Sequence, residues 1–228
     1  LDNSVNEQIE HKYRSAFNYM TLRAFIGAIA FCLPILVTCA ANLEPDISLG
    51  SISEYYHTDA RNLFVGSLCI VGTFLFAYNG WREDGSTPIA QSALSKLAGV
   101  GAFGVAFLPT NSDEVKWLIC DKCIESVEAL TATLHYVSAA ILFIILCVFS
   151  LYFFPRNMSG ASGGAKNRKL VYLLCGGTMS FCMLAITLYK FDIITYSRTV
   201  YYAEAFALWA FGVAWFVSGK FIYGFRDD

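Results

Sequence analysis

The sequence predicts an all-α bundle of six helices that cross a membrane, and three observations carry that expectation. Of 228 residues, 56% are apolar and only 15% are charged, against roughly 25% charged in a soluble domain. Mean hydropathy is +0.51. The apolar residues gather into six runs, each near the ~20 residues needed to cover about 30 Å of hydrocarbon. The net charge of −2 leaves no basic face of the kind nucleic acid requires, so no nucleic-acid partner is expected.

Residues 1–20 mix Glu7, Glu10, Lys12 and Arg14 with small and apolar residues, which suits a short surface helix. They lack the basic–apolar–small order of a cleavable signal. The first membrane helix is expected at about 22–41. Pro34 falls inside it, and is tolerated where neighbouring helices satisfy the freed carbonyl. A polar loop, Asn42 to Arg61, leads to a second helix at 62–80. Ser86-Thr87-Pro88 reads as a helix start, with Thr87 as cap and Pro88 in the first turn. The third helix then runs 88–110. Its Lys96 snorkels toward water, and Gly99, Gly101 and Gly104 suit close packing in lipid. An acidic loop, Asn111 to Glu128, precedes the fourth helix at 129–154. A glycine-rich basic loop, Pro155 to Lys169, precedes the fifth at 170–189. The sixth is expected at 199–221.

Lys and Arg set the expected orientation. Of 16 such residues, eleven fall in the N-terminal segment, the 81–96 region, the 155–169 loop and the C-terminal end; five fall in the alternate loops. Both termini are therefore expected to be cytoplasmic, in a multi-pass protein of the cell membrane, a bacterial inner membrane in particular.

That orientation collects the unusual polar residues on the outer side. The stretch Ser51-Ile-Ser-Glu-Tyr-Tyr-His-Thr-Asp-Ala-Arg-Asn62 stands before helix 2, His135 lies one to two turns into helix 4, and Asp192 and Arg198 lie between helices 5 and 6. Glu204 opens helix 6, and Leu208, Phe211, Gly212, Trp215 and Gly219 continue its face. Ionisable groups at membrane depth are costly and mark candidate sites. His57, Asp59, His135 and Glu204 are the catalytic candidates, because imidazole and carboxylate move protons near neutrality. Ser53, Glu54, Tyr55, Tyr56, Arg61, Asp192 and Arg198 are the binding candidates. His57, His135 and Glu204 together offer a mixed ligand set for zinc.

Plainer readings stand beside these. Glu204 would be wet at headgroup level, His135 would bond a neighbouring helix, and Glu54, His57 and Arg61 would form an ion-pair ladder capping helix 2. Tyr55 and Tyr56 would join Trp81, Trp117, Tyr189, Tyr201, Tyr202 and Tyr223 in an interfacial belt. Six of the eight cysteines lie in apolar runs, where they act as small hydrophobes. Cys120 and Cys123 sit in a polar loop with no second pair, so four-ligand zinc is not expected there. A local disulfide, or no bond, is.

Ser51–Thr58, Phe64–Gly66, Phe74–Gly80, Ala106–Thr110, His135 and the Glu204–Trp215 stretch resemble a widespread family of uncharacterised bacterial membrane proteins. That resemblance implies a six-helix membrane fold and no settled activity. A more distant similarity is to alkaline ceramidases and adiponectin-receptor-like proteins, seven-helix membrane hydrolases with a histidine-held zinc. It implies roles for Ser53, His57, Asp59 and His135. This chain departs from that pattern. It has six expected helices, no His-x-x-x-His on the last, and its third histidine, His11, on the opposite side.

Three functions follow as expectations: a lipid or amide hydrolase with an outer-side site between helices 2, 4 and 6; a small-solute or ion transporter or channel; and a non-enzymatic protein binding membrane lipid or a partner. A homo-oligomer is compatible with each. A retinal Schiff base is not expected, since no lysine lies mid-membrane on the last helix.

Overall fold

The computed structural model describes residues 19–41, 49–79, 89–111, 129–156 and 163–219. All regular structure among them is helical, and there are six principal helices. These are α1 (Tyr19–Ala40), α2 (Arg61–Ala77), α3 (Ile89–Phe107), α4 (Ala129–Val148), α5 (Gly163–Lys190) and α6 (Thr199–Ser218). A π-helical stretch, Phe149–Phe153, and a last turn, Phe154–Arg156, carry α4 onward. Five helices are long and apolar enough to cross a membrane. The sixth, α2, has 17 residues, at the lower limit of about 17–25 for a span.

Each helix runs antiparallel to the next, and the order in space follows the order in sequence. α2 packs on α1 and α3, α4 lies between α3 and α5, and α6 closes the ring against α5 and α1. Where the ring is tightest, glycine allows it. A Cβ on Gly27 would sit 2.6 Å from the Gly212 carbonyl oxygen, and one on Gly212 would sit 2.7 Å from that of Gly27. The α1 and α6 backbones therefore touch directly, the small-residue contact that dispersion favours in lipid. Gly99 meets Gly72 of α2 in the same way, with 2.8 Å left for a Cβ. Gly101 and Gly104 instead accept Ser138 of α4. The close packing expected of these three α3 glycines is thus present, on two different neighbours.

The interior has two parts. One is an aromatic cluster in which Trp215, 0% exposed, touches Phe74 and Tyr78 of α2, Phe149 and Phe154 beyond α4, and Phe211. Arg23 donates to the Tyr78 hydroxyl at 3.0 Å. The other part lies at the opposite end, where Leu33 and Val37 of α1 meet Ile52, Tyr55, Phe64 and Ala205.

Helix limits differ from the sequence expectation in physically readable ways. α3 stops at Phe107, because Pro109 lacks an N–H and restrains the residue before it. α5 begins seven residues before the apolar run, at Gly163, so the expected basic loop is partly helix. Pro34 stays inside α1. Residues 53–57, expected as loop, form a 3-10 helix. Lys96 does turn toward its helix end, donating to Ser92 at 2.7 Å and Asn79 at 3.4 Å. The expected surface helix before residue 19, the Thr87–Pro88 start, Cys120 and Cys123 all fall outside the described residues.

Charge divides the bundle. Among the described residues all four carboxylates, Glu54, Asp59, Asp192 and Glu204, lie at the end where α1 finishes and α2 begins, here the cap end. The other end holds Arg23, Lys96, Arg156, Lys166, Arg168 and Lys169 with no described acid, and is the basic end.

Candidate functional site at the cap end

Residues 49–58 cross the cap end as a strap, and their own sequence explains its shape. Ser51-x-x-Glu54 has capping-box spacing. The Glu54 N–H donates to Ser51 Oγ at 3.3 Å, while the Glu54 carboxylate accepts from the Gly50 N–H at 3.1 Å and the Ser51 hydroxyl at 3.4 Å. The 3-10 helix Ser53–His57 follows. Thr58 closes it, its hydroxyl donating to the Tyr55 carbonyl at 2.9 Å and accepting from Ala60 N–H at 3.2 Å. Non-helical backbone near membrane depth must be satisfied by protein, and here side chains do much of that.

Four attachments pin the strap. First, the Glu204 carboxylate of α6 accepts the Ile52 N–H at 2.6 Å. Second, the Tyr201 N–H donates to the Gly50 carbonyl at 2.8 Å. Third, Thr38 of α1 joins Tyr55 and Tyr201. Its hydroxyl proton is given to the Pro34 carbonyl at 2.7 Å, so both phenols donate to it, Tyr55 at 3.1 Å and Tyr201 at 2.9 Å. Burial chiefly pushes the Tyr55 phenol above its ordinary 10.0, with Tyr201 adding to the shift and Arg198 opposing it. Fourth, His57 Nε2 meets the Thr110 carbonyl at 2.6 Å.

The two histidines come together just past α3. His135 Nδ1 meets the Leu108 carbonyl at 2.7 Å, and the two rings lie within electrostatic reach of each other. A carbonyl only accepts, so His57 carries its proton on Nε2 and His135 on Nδ1. The carbonyls involved lie just past the end of α3, in residues 108–110. His135 is 1% exposed. Tyr136 extends the cluster, accepting from the Thr110 hydroxyl at 3.2 Å and standing under the Lys190 ammonium at 4.8 Å.

The sequence candidates therefore separate into groups. Ser53, Glu54, Tyr55 and Glu204 gather at the start of the strap, and His57 with His135 at its end. Arg61 donates to the Tyr56 hydroxyl at 2.5 Å and lies 4.2 Å from that ring centre. Of the residues expected to form a ladder with Glu54, His57 meets the Thr110 carbonyl and Arg61 the Tyr56 hydroxyl, and residues 58–60 interrupt the helix between those two. Asp59 is exposed. Asp192 is also exposed, and takes a left-handed φ of 56° where α5 ends, a conformation aspartate tolerates better than most residues. Arg198 stands at the N-cap of α6.

Zinc does not fit this arrangement. Among the described residues no three of His, Cys, Asp and Glu are grouped to hold a metal ion. His57, His135 and Glu204 are thus not assembled as one ligand set, and Glu204 is bonded to the Ile52 N–H.

Sequence reasoning missed Thr38, a lone hydroxyl in an apolar run that carried no signal. It also missed the Ser51–Glu54 capping box, whose spacing was visible. Compared with known proteins, the chain matches no family model, no curated protein and no solved structure.

Proposed function

We propose that this chain is a multi-pass membrane protein with a non-catalytic role, its cap end forming a fixed outer platform that binds membrane lipid or a protein partner. The single observation that carries this reading is the use of the reactive side chains. Glu204, His57 and His135 each hold backbone groups of a neighbouring element. A general base has to be free to reach its substrate's proton, whereas Glu204 ties α6 to the strap, His57 ties the strap to the segment after α3, and His135 ties α4 to that same segment.

The orientation belongs to the same proposal: cap end outside, both termini in the cytoplasm of a bacterial cell. The gathering of described cations at the opposite end supports it. So does the resemblance of Ser51–Thr58 and Ala106–Thr110 to bacterial six-helix proteins.

A lipid or amide hydrolase is the second reading, and one observation favours it. The tautomers fixed by Leu108 and Thr110 leave an imine nitrogen on each of two neighbouring histidines, and either nitrogen could take a proton from water. The two readings separate in one experiment. The purified protein is incubated in vesicles of bacterial phospholipid spiked with ceramide, and the lipids are followed by mass spectrometry. The binding role predicts lipid that co-purifies and stays unconverted. Conversion that disappears in His57→Ala would establish the hydrolase instead.

A further inference from the structure

We infer that the basic end carries a binding site for an anionic phospholipid, built on the exposed face of α5 beside the last turn of α4. This inference is independent of the role of the cap, and rests only on the chain being a membrane protein.

Lys166, Leu170, Leu173, Gly177, Phe181 and Leu184 follow one another at helical spacing and form one stripe. Leu170, Phe181 and Leu184 are 59%, 71% and 54% exposed. Lys166 is exposed at the head of the stripe, with exposed Lys169 one turn along beside it. The turn Phe154–Arg156 packs on α5 and adds exposed Arg156, whose guanidinium donates to the Tyr152 hydroxyl at 2.7 Å. Three cations therefore stand at the headgroup level of an apolar track.

Two further observations give that track a specific ligand. The first is charge complementarity. Lys166, Lys169 and Arg156 are all exposed, and three positive charges at the head of the track match an anionic headgroup. Arg168, between the two lysines in sequence, is buried at 3% exposure and belongs to the interior. The second is Gly177. Glycine in a helix costs about 1 kcal/mol relative to alanine, and nothing among the described residues lies within 4 Å of where its Cβ would be. No described neighbour requires glycine there, in contrast to Gly27 and Gly212. Between Leu173 and Phe181 it leaves a gap in the row of side chains, where an acyl chain would lie. A phosphodiester at the cations and a chain in the gap fit one anionic phospholipid molecule.

The test uses the full-length protein, delipidated in a neutral detergent and titrated with phosphatidylglycerol or phosphatidylcholine, with bound lipid counted by native mass spectrometry. The site predicts that phosphatidylglycerol is retained in preference to phosphatidylcholine. Near a surface each cation contributes on the order of 1 kcal/mol, so K166Q/K169Q should weaken phosphatidylglycerol roughly thirtyfold. Gly177→Leu should weaken it with both lysines in place. Equal retention of the two lipids would overturn the inference, and that comparison needs no variant to fold. Undiminished binding in K166Q/K169Q, whose changes are confined to exposed positions, would overturn it too. Displacement of the lipid by inorganic phosphate would show a headgroup contact alone and refute the two-part site.

Discussion

At the scale of single residues, the cap is held by side chains that bond to backbone. Glu204 matters most, because it accepts the Ile52 N–H at the start of the strap, bonding α6 to a segment about 150 residues earlier. A buried donor left without a partner costs about 1–3 kcal/mol. Glu204→Ala should therefore lower stability by about 1–3 kcal/mol, and Glu204→Gln by less, since its amide oxygen still accepts. Denaturant titration in detergent micelles measures both. Tyr55 gives a pH dependence of known sign. Its phenol is held above 10.0 in the fold, so its contribution is complete below that value and is lost as pH rises through the higher folded value. Alkaline titration should loosen the cap, and Tyr55→Phe should remove that component while leaving the neutral-pH fold in place.

At the scale of helices, backbone contact at glycine decides which substitutions are tolerated. Gly27→Ala and Gly212→Ala push a methyl group into the facing main chain, where nothing can rotate away. Overpacking of that kind costs roughly 1–3 kcal/mol or more. Gly66→Ala meets open space and should be neutral or slightly stabilising, because alanine is the better helix former. Comparing melting temperatures of the three variants checks this directly. The same contrast shows what the sequence could say about helices. Six apolar runs were legible because a membrane imposes a length on each. Gly99, Gly101 and Gly104 were legible as packing residues because small side chains have few other uses there. The partner of each was not legible, since helix pairing depends on surfaces far apart in sequence. The 3-10 helix at 53–57 was hidden as well: Ser, Glu, Tyr and His suit a loop equally, and the turn is stabilised by Glu204, about 150 residues away.

At the scale of the whole molecule, the placement of the strap, both described acids of α6 and its preceding turn, and both described histidines at one end joins fold to function. Reporter fusions after Ser112 and Gly163 should read outside and cytoplasmic respectively; a fusion after Gly163 that reads outside would invert the assignment. That Ser51–Asn62, His135 and Glu204 lie at one end of the bundle was readable from the order of the helices. What they do there was not, because the choice between a reactive centre and a structural latch depends on where each lone pair and N–H is directed. Leu108, Thr110 and Ile52 supply the partners through their main chains, which residue identity does not reveal.

The central claim is that residues 49–58 form a strap pinned by Glu204, with its polar groups engaged in the fold. Hydrogen–deuterium exchange of the full-length protein in lipid nanodiscs tests it most directly. Peptides covering Gly50 to Thr58 should exchange slowly, on the scale of the neighbouring ends of α1 and α6, and Glu204→Ala should speed them selectively. Rapid exchange of the strap in the unaltered protein, insensitive to Glu204, would contradict the account.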